Sequence, residues 1–133
     1  MTERMEVQDI VKNSDFVEEA GVDWEDIYQM LATLLETPEW RLMRADNTLF
    51  LLNLQGNATA AVTVLDAGGA DKFPETLKEF FRACKHAELK HILFNTKGRH
   101  VQQMIRRMGF RVEETALAQD EDGVTLYQGD VYV

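Results

Sequence analysis

The sequence predicts an α/β fold in which a mixed central sheet is organised around one parallel strand–helix–strand unit. Three observations lead there. Two β-branched or apolar runs of strand length, residues 48–54 (TLFLLNL) and 58–65 (ATAAVTVL), are separated by a Gly-containing turn signal, Gln55-Gly56-Asn57, as in an antiparallel hairpin. The second run is followed by a helix-period segment and then by a third apolar run, residues 89–94 (LKHILF). A strand, a helix of that length and another strand pair in parallel with a right-handed crossover.

The elements follow in order. Residues 7–21 (VQDIVKNSDFVEEAG) predict a short helix with Val7, Ile10, Val11 and Phe16 on one face. A second helix is capped by Asp23, carries Asp26 in its first turn and repeats Trp24, Ile27, Leu31, Leu34 and Leu35 at helical spacing. Pro38 closes it, since the residue before a proline is pushed out of the helical region. RLMRAD (residues 41–46) reads as a short strand ahead of the hairpin. After the loop of residues 66–74 (DAGGADKFP), Pro74 opens a helix on which Leu77, Phe80, Phe81 and Cys84 recur at i, i+3, i+4 and i+7, ending near Ala87. The turn NTKG (residues 95–98) follows the third run, with Asn95 or Thr96 as the cap of the next helix. Val101, Met104, Ile105 and Met108 form that helix's apolar stripe, and Gly109 fits the left-handed position that ends it. FRVEE and VTLYQGDVYV give two last antiparallel strands joined near residues 120–123.

The 133 residues suit one domain, 1–133, and no repeat or linker divides them. At 45% apolar residues the chain can build a core without staples, and its lone cysteine excludes an internal disulfide, which points to a reducing cytoplasm. The first ten residues, MTERMEVQDI, have no apolar core of a secretory signal, and no run is long enough to span a bilayer, so no membrane is expected. The net charge of −9 argues against nucleic acid as a partner. Its distribution is uneven: residues 1–75 carry 15 acids and 5 bases, residues 76–112 carry 2 acids and 9 bases, and residues 113–133 carry 6 acids and no base. The central basic segment is either a set of solvated helix faces or a surface for an anionic ligand or acidic partner.

The element order, and above all LKHILFNTKGRHVQQMIRRMGFRVEE (residues 89–114) with its helix-ending Gly109-Phe110, resembles the GNAT superfamily, the Gcn5-related N-acetyltransferases. The resemblance covers roughly residues 23–133. It implies an acyl-CoA N-acyltransferase fold, acetyl-CoA as the cofactor, and a small-molecule or protein amine as acceptor. It places the cofactor where two parallel strands splay, between the strand ending near Leu65 and the one ending near Phe94, with the pyrophosphate on backbone N–H groups at a helix N-terminus. The residues it assigns to cofactor binding are Leu65, Asp66, Gly68, Gly69, Ala70, Lys72, Asn95 and Arg99. Family members often dimerise, which implies a homodimer in which an edge strand such as VTLYQGDVYV pairs across a two-fold axis.

The sequence departs from the family in two places. The phosphate loop pattern, Gln/Arg-x-x-Gly-x-Gly/Ala, becomes DAGGADKFPET. Aligned without gaps, Asp71 and Phe73 stand where the glycines belong; Asp71 repels phosphate and Pro74 removes a donor, while a shifted register would let Lys72 supply charge. The helix tyrosine that protonates the leaving thiolate, five residues before the Phe of Gly-Phe, is replaced by Ile105. Asn95 can orient water or the pantetheine arm, and Asp66 can serve as a base only if burial raises its pKa; no catalytic residue is assigned. Two functions therefore stand: an acyl-CoA-dependent N-acetyltransferase with a degenerate pyrophosphate loop, or a catalytically inactive GNAT-like binding or structural protein, such as a phage virion or host-interaction component. Among the remaining residues, Cys84 reads as core. His86, His91 and His100 lack metal-binding spacing, so no metal is expected. Trp24, Trp40, Tyr127 and Tyr132 read as packing residues.

Overall fold

A computed structural model describes residues 4–133; residues 1–3, part of the segment read above as lacking a signal, lie outside the described residues. The elements are α1 (Val7–Lys12), α2 (Asp15–Ala20), α3 (Trp24–Leu34), β1 (Trp40–Ala45), β2 (Thr48–Gly56), β3 (Thr59–Asp66), α4 (Phe73–His86), β4 (His91–Lys97), α5 (His100–Arg107), β5 (Arg111–Gln119) and β6 (Thr125–Tyr132). They form an α/β structure with a six-stranded mixed sheet in the order β1-β2-β3-β4-β6-β5. The pair β3–β4 is parallel, as the strand–helix–strand reading requires, and β1–β2, β4–β6 and β5–β6 are antiparallel. Among the described residues, no helix is long and apolar enough to cross a membrane. The chain resolves into two compact units, one comprising the residues up to Asn53 with Val64–Phe80, the other Leu54–Thr63 with Phe81–Val133.

In the first unit the predicted N-terminal helix is two helices. Ser14 breaks it: its hydroxyl donates to the carbonyl of Val11 and accepts from the amide of Val17, so it ends one helix and caps the next. The break turns Phe16 outward, 37% exposed, and buries Val17 beside Ile10 and Val11 instead. Asp23 caps α3 as expected, accepting from the amide of Glu25 at 3.0 Å. Leu31 is buried, with Trp24, Ile27 and Leu34 packed beside it, but Leu35 falls in the C-cap and is exposed. Leu49 and Leu51 of β2 join that cluster, while Phe50 stacks on Phe80 of α4 with centroids 4.1 Å apart. Both faces of β2 are thus covered, which is why its sequence is continuously apolar rather than alternating.

In the second unit the hairpin turn is tighter than predicted. β2 runs through Gly56, and the turn is Asn57-Ala58, both at positive φ (54° and 58°), as a two-residue type I′ connection needs. The carbonyl of Ala58 accepts from the amides of Lys90 and His91, at 2.8 and 3.1 Å, and so fixes the start of β4. The parallel ladder runs from Thr59↔His91 to Val62↔Phe94 and stops there, although β3 continues to Asp66 and β4 to Lys97. Phe81 packs against Phe94 and Phe110, at 6.1 and 4.8 Å between centroids, and Cys84, Ile92, Ile105 and Val131 are fully buried.

Two expectations are corrected here. Asn95 and Thr96 do not cap α5. They are strand residues, paired with Gln128 and Tyr127, because β6 lies alongside β4 over seven registered pairs and keeps it extended through Lys97. Nor is VTLYQGDVYV an edge strand: β6 lies between β4 and β5, and the edges of the sheet are β1 and β5.

Candidate functional site

The loop after β3 belongs to the first unit and is built around Asp66. Leu65, the residue before it, is 1% exposed and anchors the strand end in the α1–α3 cluster. Asp66 Oδ1 accepts from the hydroxyl of Thr48 at 2.7 Å and from the amide of Gly68 at 2.9 Å. That oxygen shapes the loop as an Asx turn does. A side chain on Gly68 would meet Asp66 Oδ1 at 3.4 Å and Asp46 Oδ2 at 3.8 Å, so two carboxylates converge on this glycine. Gly69 follows at φ +89°, a conformation that needs glycine, and opens onto free space. The amides of Lys72 and Phe73 then donate to the carbonyls of Gly69 and Ala70, winding the chain into α4, which begins at Phe73, one residue before Pro74. Asp71 and Lys72 are exposed beside this turn. The predicted residues from Leu65 to Lys72 are therefore neighbours in one loop at a helix N-terminus. Its amides at Gly68, Lys72 and Phe73 already donate to the chain's own oxygens.

The predicted residues of the second unit are placed differently. Asn95 is an exposed strand residue near the end of β4. Arg99 stands at the N-cap of α5, and its guanidinium binds Glu114 of β5 at 2.6 Å and lies 6.0 Å over the ring of Tyr127. Arg106, from the last turn of α5, binds the other oxygen of Glu114 and donates to the carbonyl of Val112 at 2.9 Å. Burial pushes the Glu114 carboxyl up, but the two guanidiniums outweigh it and hold the group below the usual carboxylate range. The basic segment singled out in the sequence is thus partly neutralised by the acidic segment that follows it: Arg99 and Arg106 clasp α5 to β5 through Glu114, and Arg111 pairs with Glu113.

Two polar features of this unit escaped the sequence reading. Gln102 is 1% exposed; its Nε2 donates to Thr96 Oγ1 at 2.7 Å, Thr96 in turn donates to the carbonyl of Gly98, and Gln102 Oε1 is buried with no partner. Gly129 makes room for it, since a Cβ there would lie 3.0 Å from Gln102 Cγ. The glycine inside VTLYQGDVYV was the available signal of such a close approach. The second feature is a row across four strands, Thr59, His91, Tyr132 and Arg111. His91 stacks on Tyr132 at 4.7 Å, its Nε2 meets Asp130 Oδ1 at 3.0 Å, and Arg111 covers the far face of Tyr132 at 4.7 Å. No single residue of that row is unusual in a strand. Only the register brings them together. Ile105, the residue at the tyrosine position, is fully buried, and Cys84 is buried with its thiol pushed up to about 12 by desolvation, which makes it inert as a nucleophile.

No family model and no curated protein matches the sequence. Solved structures do match over nearly the whole chain. The ribosomal-protein-alanine N-acetyltransferase of Brucella melitensis is similar with a TM-score of 0.65 at 12% identity, covering 98% of each chain. An acetyltransferase of the GNAT family from Streptococcus pneumoniae gives a TM-score of 0.61 at 11% identity, again over 98% of each chain. A Bacillus subtilis acetyltransferase in complex with CoA gives 0.57 at 10% identity, over 99% of this chain and 95% of that one. The fold of this chain is that of the Gcn5-related N-acetyltransferases.

Proposed function

We propose that the protein is an acyl-CoA-dependent N-acetyltransferase whose pyrophosphate loop has diverged from the family pattern. The observation that carries this is a likeness to acetyltransferase structures that extends over the whole chain, one of them holding CoA. The loop from Leu65 to Lys72 is the segment assigned to the cofactor. Gly69 opens there at positive φ ahead of the α4 N-terminus, where the helix dipole favours an anion, and Lys72 adds charge. Asn95 is assigned to orienting the acyl arm or a water, and Arg99 to the cofactor only in exchange for its partner Glu114. The reaction is direct attack of an acceptor amine on the thioester carbonyl. The C–N bond forms, the C–S bond breaks, and the amine proton leaves through water as the thiolate is protonated. With isoleucine at position 105, the acceleration would come from positioning and from backbone donors to the oxyanion.

A second reading, a catalytically inactive GNAT-like binding or structural protein, is favoured by one set of facts. The loop's amides are engaged internally, and Asp46, Asp66 and Asp71 place carboxylates in or beside it. Calorimetric titration with acetyl-CoA separates the two. If the loop holds the pyrophosphate, Asp71→Lys tightens binding by roughly three- to tenfold at low salt, the scale of one favourable charge contact. Gly69→Glu abolishes binding; because φ +89° strains any side chain, it also lowers the melting temperature by a few degrees, and Gly69→Ala, which carries the same strain without the charge, serves as the control. No binding at millimolar ligand, in either the parent protein or Asp71→Lys, retires the enzyme.

A further inference from the structure

Residues 13–40, which contain α2 and α3, carry eight carboxylates and no basic residue. Among the described residues, no ion pair takes any of these eight carboxylates. The same segment exposes apolar side chains that the first unit leaves uncovered. Val22 at the entry to α3 is 43% exposed, Tyr28 38% and Leu35 37%. Tyr28 and the C-cap residue Leu35 are seven residues apart, two turns of helix, so they share one flank. Trp24, one turn before Tyr28, extends that flank, its ring 6.4 Å from Tyr28's. Glu25 lies on the solvent side of the flank, and the ammonium of Lys12 already rests 5.9 Å over the Trp24 ring. An aromatic and aliphatic strip flanked by unpaired carboxylates repels an acidic surface and fits a basic one. We infer that the α3 flank formed by Trp24, Tyr28 and Leu35 is a docking surface for a basic polypeptide segment that also carries apolar residues. The strip from Trp24 to Leu35 runs roughly 16 Å at 1.5 Å per residue. An extended peptide spans that in about five residues, whereas a simple cation would leave the apolar strip bare. On the acyltransferase reading, on which only this purpose depends, the docked segment presents the acceptor amine.

The test is fluorescence anisotropy with two labelled peptides of about a dozen residues, one alternating Lys with Leu and one alternating Lys with Gly. The Lys–Leu peptide should bind at least about tenfold more tightly, and its affinity should fall as salt rises through about 0.1 M. Tyr28→Ser with Leu35→Ser should weaken the Lys–Leu peptide about tenfold and leave the Lys–Gly peptide unchanged. Glu25→Lys with Asp26→Lys should weaken both peptides. Glu121→Lys with Asp122→Lys makes the same change in net charge on the β5–β6 turn and should move neither. Melting curves establish that each variant is folded, and Tyr28→Ser alone gives the same direction of change if the double serine variant is not. Equal affinity for the two peptides overturns the inference, as does an equal loss in the β5–β6 control. Full competition by spermine at its own ionic strength does so too, making the occupant a small polycation. Calorimetry with acetyl-CoA on the same samples keeps the two ideas apart. Peptide binding without CoA binding sinks only the acyltransferase reading, and CoA binding without peptide binding sinks only the docking surface.

Discussion

Replacing Gln102 by methionine should stabilise the protein. The side chain is 1% exposed, with one amide hydrogen bond, to Thr96, and a buried oxygen that has none. A buried polar atom without a partner costs about 1–3 kcal/mol relative to water, and a typical intramolecular hydrogen bond returns about 0.5–1.5. Methionine follows the same unbranched path past Gly129, whose Cα region sits against Gln102 Cγ and leaves no room for a branch. It removes the unpaired oxygen, forfeits the bond to Thr96, and leaves Thr96 donating to Gly98. The balance is a gain of about 1 kcal/mol, or about 3–5 °C in melting temperature for a chain of this size. Urea denaturation of the parent and variant reads it directly. Gln102→Ala should go the other way by about 2 kcal/mol, through the cavity it opens. If Gln102→Met instead destabilises by more than about 1 kcal/mol, the oxygen has a partner and the polar group belongs to a satisfied network.

Other outcomes follow from the same coordinates. Gly129→Ala should destabilise by about 1–3 kcal/mol, because its Cβ meets Gln102 Cγ at 3.0 Å, and the loss should largely vanish in the Gln102→Ala background. Ala58→Gly should stabilise by about 1 kcal/mol in thermal melts, since alanine at φ 58° is strained and Asn-Gly is the preferred pair for this turn. Cys84 should make the fold weaker in alkali. Its folded pKa of about 12 lies above the ordinary value of 9.0, so its contribution is intact below pH 9 and is lost as pH rises toward 12. The loss between pH 8 and pH 10 should be greater for the parent than for Cys84→Ala, by on the order of 1 kcal/mol. Glu114 behaves oppositely: its folded pKa is depressed, so its contribution is present above the ordinary carboxylate pKa and disappears as pH falls through the folded value. Glu114→Gln should destabilise by about 1 kcal/mol at pH 7, discounted for the exposure of both arginines, and should flatten the acid limb of the stability curve.

Periodicity carried most of the fold. Leu77, Phe80, Phe81 and Cys84, spaced for one helix face, are all buried, and the parallel β3–β4 pair follows from the helix between its strands. Boundaries were lost where a side chain competes with the backbone. Ser14 splits the first helix by bonding across the break, and Asn95-Thr96, which resemble a cap, are held extended by a partner strand thirty residues away in sequence. The loop assigned to the cofactor was legible as a segment between β3 and α4, but its internal bonding was not, because the Asp66–Thr48 bond links residues eighteen apart. The ion pair of Arg99, which the resemblance assigns to the cofactor, was hidden for the same reason: its partner Glu114 lies on a different element. Local spacing reports which face a residue occupies; it cannot report which partner the sheet register brings to that face.

The insertion of β6 between β4 and β5 has a consequence for how the second unit is made. When β4, α5 and β5 have emerged from the ribosome, the strand that must join them has not. One flank of β4, from His91 to Lys97, and one flank of β5 therefore wait with open backbone groups until residues 125–132 emerge. The hairpin turn at Asp120, whose carboxylate gathers the amides of Asp122 and Val124, then delivers β6 into the slot between them. Closure of the unit therefore waits for β6, and a chain truncated before residue 125 should be far more sensitive to protease, and more dependent on chaperones, than the chain that includes residues 125–132.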